Sequence, residues 1–555
     1  MILTLANEFA LEAARKYLQS IVFVDDEIYQ PVLASDLPLE VPIAAEMHVF
    51  AKPIEPVEKT DQNQSPEVSD ASFEPQDGGH FHPKQLVESF AREGMVCALY
   101  EPKPDFSTAP ESEIFKLCER ADVVILDWEF YKTPGAKVLE LLGGLVTEAQ
   151  TEVPHHIRLC AIYTTTQNLQ HIASEICDYL LKLDLKVSID GKYNLSAGST
   201  RIIVLGKPSV GRPDEQAKAA EVEEDKLAQR IIEEFASMHQ GILPSMALQG
   251  LASIRTNTKK ILDKFHRDMD GAFLIHRGLI LPDDDAFEQI PELLVEEALA
   301  VVVDNTIGVE RATDIAVQAI DKIGIKTAWA NKNGVLREAG KDAIELLKSG
   351  PRKVQARVNL DHLALDTLHA ELDAAGSNAK ERLAALYACR TQYGNDRSLA
   401  FGTIVRFDHQ VGDQDIQKRY AICLMPLCDS VRLKKDANYQ FPFWTLRADN
   451  SGASSKGIVV ELPEQEGFIE LFSMGKPRDQ LWLESFKAGN TKKVIAERRG
   501  TSFVFEGNAK EIEWVGQLKP SHAQRIAHEI AGTFSRVGVL EAEWLRLKSD
   551  RPKCC

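Results

Sequence analysis

Over the first two hundred residues, short apolar runs that end in polar residues alternate with stretches of helical periodicity. Residues 7–19 carry good helix formers with apolar positions at helical spacing, and Ser20-Ile21-Val22-Phe23-Val24 then runs straight into Asp25-Asp26-Glu27. The same alternation returns at Pro83. Helices are predicted over 83–93, 111–120, 136–149 and 168–183, and strands over Met95–Tyr100, Val123–Asp127, Arg158–Tyr163 and Arg201–Leu205. Continuous runs such as Val123-Val124-Ile125-Leu126 suit strands buried on both faces. Strands alternating with helices imply βαβ units, so the pattern predicts an α/β fold: a doubly wound, five-stranded parallel sheet with helices on both faces. An additional hairpin is expected at Lys186–Asn194, around Asp190-Gly191.

The pattern changes twice further on. From about 217 to 386 it is helical, with apolar spacing in Leu227–Met238, Ile254–Phe265, Leu293–Val303, Ala312–Ile323, Ala343–Leu347 and Leu360–Leu372. From Ser398 to Trp514 strands are expected at Leu399–Phe407, Arg419–Leu424, Gly457–Leu462, Lys493–Ala496 and Ser502–Glu506, followed by helix over 519–548. The organisation read from this is a first domain at 1–215, a mainly helical region at 216–395, and a mixed α+β region with C-terminal helices at 396–555. Residues 31–80, rich in Pro, Glu, Asp, Gln and Ser, read as a long loop or disordered insertion in the first domain. His80 and His82 close it with no further metal ligands nearby in sequence, and are read as loop histidines.

At 555 residues the chain exceeds a single core, which agrees with several domains. A net charge of −19 argues against broad nucleic-acid binding, which needs a basic footprint. No apolar run approaches membrane-spanning length and the first residues lack a basic signal-type segment, so a cytoplasmic protein without membrane association is expected. The nine cysteines are scattered without a CxxC pair and are read as reduced residues.

The ends of the strands carry the candidate chemistry. In an open α/β sheet, ligands gather outside the carboxyl ends of the strands. There this chain offers Asp25 and Asp26, Asp127, Thr164, and Lys207 followed by Pro208. Two unit charges about 4 Å apart at an effective dielectric near 20 repel by roughly 4 kcal/mol, so three clustered carboxylates call for a cation or a proton. A hard divalent ion such as Mg²⁺ suits oxygen ligands of this kind. A lysine and a hydroxyl beside it suit a developing phosphoryl charge, and Asp127 is placed as a carboxylate nucleophile.

These residues, in this order, resemble the receiver domain of two-component response regulators, a flavodoxin-like fold, over about residues 15–215. The resemblance implies Asp127 as phosphoacceptor, with Thr164 and Lys207 around the phosphoryl group. It also implies Mg²⁺ held by Asp25, Asp26, Asp127 and the backbone carbonyl of Glu129, and a histidine kinase as partner. The chain departs from the family pattern in the 31–80 insertion and the additional hairpin. It departs again at Val204, where many receivers carry an aromatic switch residue, and at Thr165, where a smaller residue is common.

The architecture as a whole resembles response regulators of bacterial antiphage two-component systems such as Detocs. That implies a role regulating or buffering a phosphorelay, with a separate effector response regulator as a further partner. Three alternatives remain open from sequence: a transcriptional regulator binding DNA through the C-terminal helices, a receiver-gated enzyme with its active site in 396–516, and a degenerate receiver acting only as an interaction scaffold. Residues 519–555 hold seven Lys/Arg against four acids, but the acidic whole favours docking or homodimerisation over DNA reading. Cys428-Asp429 is read as a buried strand end, Lys492, Lys493, Arg498 and Arg499 as a solvated strand-turn, and His266 as part of an exposed helix.

Overall fold

The structure is a computed structural model. It describes residues 3–29, 83–151, 157–208, 218–281, 285–305, 308–323, 328–330, 336–350, 378–394, 396–411, 415–448, 457–463, 466–473 and 475–534. The 31–80 segment with His80 and His82, the run Leu360–Leu372, and the chain beyond Phe534 lie outside the described residues. Two compact units divide the chain, one carrying a parallel sheet and the helices up to Ala339–Ser349, the other an antiparallel sheet from Ala379 onward.

In the first unit the strands are β1 (Ser20–Val24), β2 (Val96–Tyr100), β3 (Val123–Leu126), a small hairpin of β4 (Glu129–Phe130) and β5 (Thr133–Pro134), β6 (Arg158–Thr164), β7 (Ser188–Ile189), β8 (Asn194–Ala197) and β9 (Thr200–Gly206). The main sheet runs β2-β1-β3-β6-β9-β8-β7. Its first five strands are parallel, and β8 and β7 continue it antiparallel. The sheet therefore has seven strands where five were expected. The hairpin anticipated at Lys186–Asn194 does not stand apart: β8 pairs along β9 and covers hydrogen-bonding groups that an edge strand would leave open.

Pleating explains the continuous apolar runs. Val22, Val24, Val124, Leu126, Cys160, Ile162, Ile202 and Val204 pack on one face with α3 (Glu113–Arg120), α4 (Ala136–Thr151) and α5 (Leu169–Lys182). The alternate residues Ile21, Phe23, Val123, Ile125, Leu159, Ala161, Tyr163, Ile203 and Leu205 meet the other face. There lie α1 (Leu3–Tyr17), α2 (Pro83–Arg92) and the helix Leu227–Met238, through Ala13, Ala14, Phe90, Ile231 and Phe235. Strands β1, β3, β6 and β9 are thus buried on both faces, the condition that removes polar alternation from a parallel strand, while the edge strand β2 stays partly exposed. Register sets Val24, Leu126, Ile162 and Val204 on one level, which aligns the carboxyl ends of the strands.

Among the described residues beyond 217 the helical reading holds with changed boundaries, interrupted by the short strands Ala328–Ala330 and Leu336–Glu338. The stretch expected as one helix over Ile254–Phe265 is split at Asn257 into the end of Ile242–Thr256 and a short Thr258–Leu262. Among the described residues no helix is long and apolar enough to cross a membrane.

The second unit is a ten-stranded antiparallel sheet with a core on either face, one of them closed by Ala523, Ile526 and Ile530 of the helix Pro520–Phe534. Its longest strand, Asn438–Ala448, carries Pro442, a residue that reads as a strand breaker. Phe468–Phe472, Leu481–Lys487 and Glu511–Leu518 are further strands that periodicity did not separate, while Lys493–Ala496 lies outside the named strands. Cys428 is not at a buried strand end: it is exposed on a one-turn helix, Leu427–Ser430, that follows Pro426. Arg499 lies on an exposed strand and pairs with Glu506 and Glu511, as a solvated strand-turn should.

Candidate functional site

Strand β1 delivers Asp25 into a fully buried position. Its Oδ1 accepts the Glu27 N–H at 2.8 Å, and its Oδ2 accepts the Lys207 Nζ at 2.7 Å. One strand over, Asp127 leaves β3 with its N–H bonded to the Val24 carbonyl at 3.0 Å. Its Oδ1 accepts the Trp128 N–H at 2.6 Å and the Glu129 N–H at 3.4 Å, and its Oδ2 accepts the same Lys207 ammonium at 2.7 Å. Lys207 follows β9, its backbone N–H anchored on the Thr164 carbonyl at 2.8 Å and its ammonium 5.7 Å from the centre of the Tyr163 ring. Strand order and register thus bring two carboxylates, 182 and 80 positions from Lys207 along the chain, onto its one ammonium.

Burial dominates the electrostatics. Desolvation pushes the Asp127 carboxyl up to about 6, Lys207 opposing and Asp25 adding to the shift. Burial pulls the Lys207 ammonium down, but Asp127 and Asp25 outweigh it and leave its pKa raised.

The loop after Asp127 is fixed from behind. Trp128 is buried, and Gly135 returns the chain against it with φ +74°, its N–H on the Trp128 carbonyl at 2.9 Å. A Cβ at Gly135 would lie 2.6 Å from the indole, so this position requires glycine for both space and backbone conformation. Phe130 is buried edge-on to Phe106, with ring centres 5.5 Å apart.

The remaining expected residues are placed less directly. Asp26 accepts the Tyr131 N–H at 2.7 Å and so faces the β4–β5 hairpin. Glu129 is exposed on β4. Thr164 is buried, its hydroxyl 3.2 Å from the Thr166 hydroxyl and accepting the Thr166 N–H at 3.2 Å. Val204 is buried against the α3–α5 face, and Thr165 is exposed beside the site.

Sequence reasoning missed the Trp128 amide, the Tyr131 amide on Asp26, and the Tyr163 ring under Lys207. Only Gly135, seven residues after Trp128, gave a local sign that this loop turns back.

Among the described residues no group of three or more His, Cys, Asp and Glu side chains converges as a metal centre. The donor chemistry nevertheless fits a hard cation. Asp25 and Asp127 share one ammonium, leaving one negative charge unbalanced, and Asp26 adds another at the same edge. The donors on offer are oxygens, as Mg²⁺ prefers.

A mixed α/β unit whose parallel sheet gathers two aspartates and a lysine at the carboxyl ends of its strands has the make-up of a receiver. In agreement with this, residues 17–212 match the family model described as response receiver domain, and that segment belongs to the family. It contains Asp25, Asp26, Asp127, Thr164 and Lys207. No curated protein and no solved structure matches the chain.

Proposed function

We propose that the protein is a response regulator that accepts a phosphoryl group from a partner histidine kinase on Asp127, and so regulates or buffers a two-component phosphorelay. The observation that carries this is the Lys207 ammonium on Oδ2 of both Asp127 and Asp25. Such an ammonium neutralises one carboxylate and stands ready for the charge of a group transferred to the other. In the transfer, an Asp127 carboxylate oxygen attacks phosphorus, the bond from phosphorus to the donor's imidazole nitrogen breaks, and an acyl phosphate forms. Lys207 holds the Asp127 carboxylate oriented, and the Trp128 and Glu129 amides fix its other oxygen. The Thr164 hydroxyl turns from Thr166 toward the phosphoryl oxygens. Asp25, Asp26, Asp127 and the Glu129 carbonyl would hold Mg²⁺, which when bound supplies positive charge to the phosphoryl oxygens.

In this reading residues 1–215 receive the signal, and 216–395 and 396–555 transmit it to a separate effector response regulator or a second copy. A cytoplasmic role in antiphage defence belongs to the same proposal. The test is intact-mass measurement of the full chain after incubation with a small phosphodonor and Mg²⁺. One phosphoryl adduct is expected, absent with chelator and absent in Asp127→Asn. No adduct on the folded chain, or an adduct retained by the variant, would overturn the assignment.

A further inference from the structure

The second unit contains a cleft of about 470 Å³ whose chemistry the receiver reading leaves unused. Its size lies within the range of small-molecule sites, about 300–1,000 Å³. Three arginines line it: Arg382 on the helix Ala379–Ala388, Arg390 on the strand Cys389–Arg390, and Arg397 in the loop beyond. The one acid in its wall is Glu461. The lining therefore carries a formal charge of +2 in a chain whose net charge is −19, so the local basicity is not a sample of the whole.

Arg397 is the anchor. Its guanidinium lies over the Phe503 ring at 4.7 Å and over the Trp514 ring at 4.8 Å, and one of its terminal nitrogens donates to the Gly394 carbonyl. Held on two ring faces, the side chain has little rotamer freedom left to lose when it takes a ligand. Its Nε is buried with no hydrogen-bond partner among the described residues. A buried guanidinium donor left unpaired is costly. Arg382 and Arg390 are exposed. Leu386 and Phe468 supply an apolar wall beside these cations.

We propose that this cleft binds a small organic phosphate of mononucleotide size. Its phosphoryl group sits against Arg397 and Arg390, and its body lies on the apolar wall. A phosphate monoester carries about −1.5 to −2 charges at neutral pH, which the net +2 of the lining balances; a single carboxylate would leave half of it unmatched. Arginine forks suit phosphate oxygens, and arginine and aromatic faces suit a planar base. The site lies wholly within the second unit and does not depend on the role assigned to Asp127.

The probe is AMP, titrated into the full-length protein by isothermal calorimetry, with adenosine and inorganic phosphate as controls. Saturable AMP binding is expected, with adenosine silent and inorganic phosphate weaker. Arg390→Gln, an exposed change that leaves the packing intact, and Arg397→Gln should each weaken AMP about 10- to 100-fold, as loss of a charge-assisted contact does. Absence of saturable AMP binding by the folded wild-type chain up to about 5 mM, weaker than any affinity a built site of this kind should show, would overturn the proposal. So would adenosine binding as tightly as AMP, or Arg390→Gln binding with unchanged affinity. Asp127→Asn should bind AMP normally, which separates failure here from failure of the receiver reading.

Discussion

The two ends of the parallel sheet each bury an aspartate against a cation, and they treat it in opposite ways. At the amino end Asp122 accepts hydrogen bonds from the Gln19 N–H at 2.9 Å, the Ser20 N–H at 3.0 Å and the Ser20 hydroxyl at 3.1 Å. Arg255, from the helix Ile242–Thr256, adds a two-pronged contact at 2.8 and 3.1 Å and also donates to the Tyr17 carbonyl at 3.1 Å. Four donors converge on its Oδ2 and Arg255 also holds its Oδ1, and its role is to tie α1, β1, β3 and the Ile242–Thr256 helix together. At the carboxyl end Asp127 has two backbone N–H donors on one oxygen and a single shared ammonium on the other, and burial holds its pKa up near 6. A buried carboxylate with five donors and its own guanidinium is structural, whereas one with three donors that shares its ammonium with a second carboxylate keeps its capacity for a new partner.

That contrast can be broken from either side. Asp122→Ala should give the largest loss, about 3 kcal/mol, because it orphans the part-buried Gln19 and Ser20 N–H groups and unpairs Arg255. Denaturant unfolding would read it, while phosphoryl uptake at temperatures where the variant stays folded should be little changed. Lys207→Met moves the main effect to function. It should slow phosphoryl uptake about 10²–10³-fold, the usual cost of one preorganised charge donor, measured by the rate of adduct formation. Gly135→Ala should cost about 1–3 kcal/mol through the clash with Trp128 and the positive φ, and it should also slow uptake by displacing the Asp127 loop. Arg255→Gln should cost least, about 0.5–1 kcal/mol, because the guanidinium is one-third exposed and water can replace part of what it offers.

The sequence and the structure agree where information is local. Val24, Leu126 and Leu205 close apolar runs just before polar residues, so strand identity, strand ends and the grouping of Asp25, Asp127 and Lys207 could be read from the chain. Contacts set by long loops could not. The role of Asp122 was not legible, because its partner Arg255 is 133 residues away on a helix whose pose depends on packing. Asp26 turning to the Tyr131 amide depends on a hairpin tip with φ of 51° and 59° at Tyr131 and Lys132. The two antiparallel strands β7 and β8 were legible as a hairpin, but their docking on β9 was not. In the second unit the longest strand, Asn438–Ala448, was not among those expected, and its Pro442 is a residue that argues against a strand.

The most direct test of the central claim is to locate the phosphoryl group. The full chain would be treated with a phosphodonor and Mg²⁺, reduced with borohydride, which converts an aspartyl phosphate to homoserine, and mapped by tandem mass spectrometry. Homoserine at position 127, with Asp25, Asp26 and Asp122 unmodified, is the predicted result. Reduction at another aspartate, or at none in a chain shown to be folded, would contradict the account.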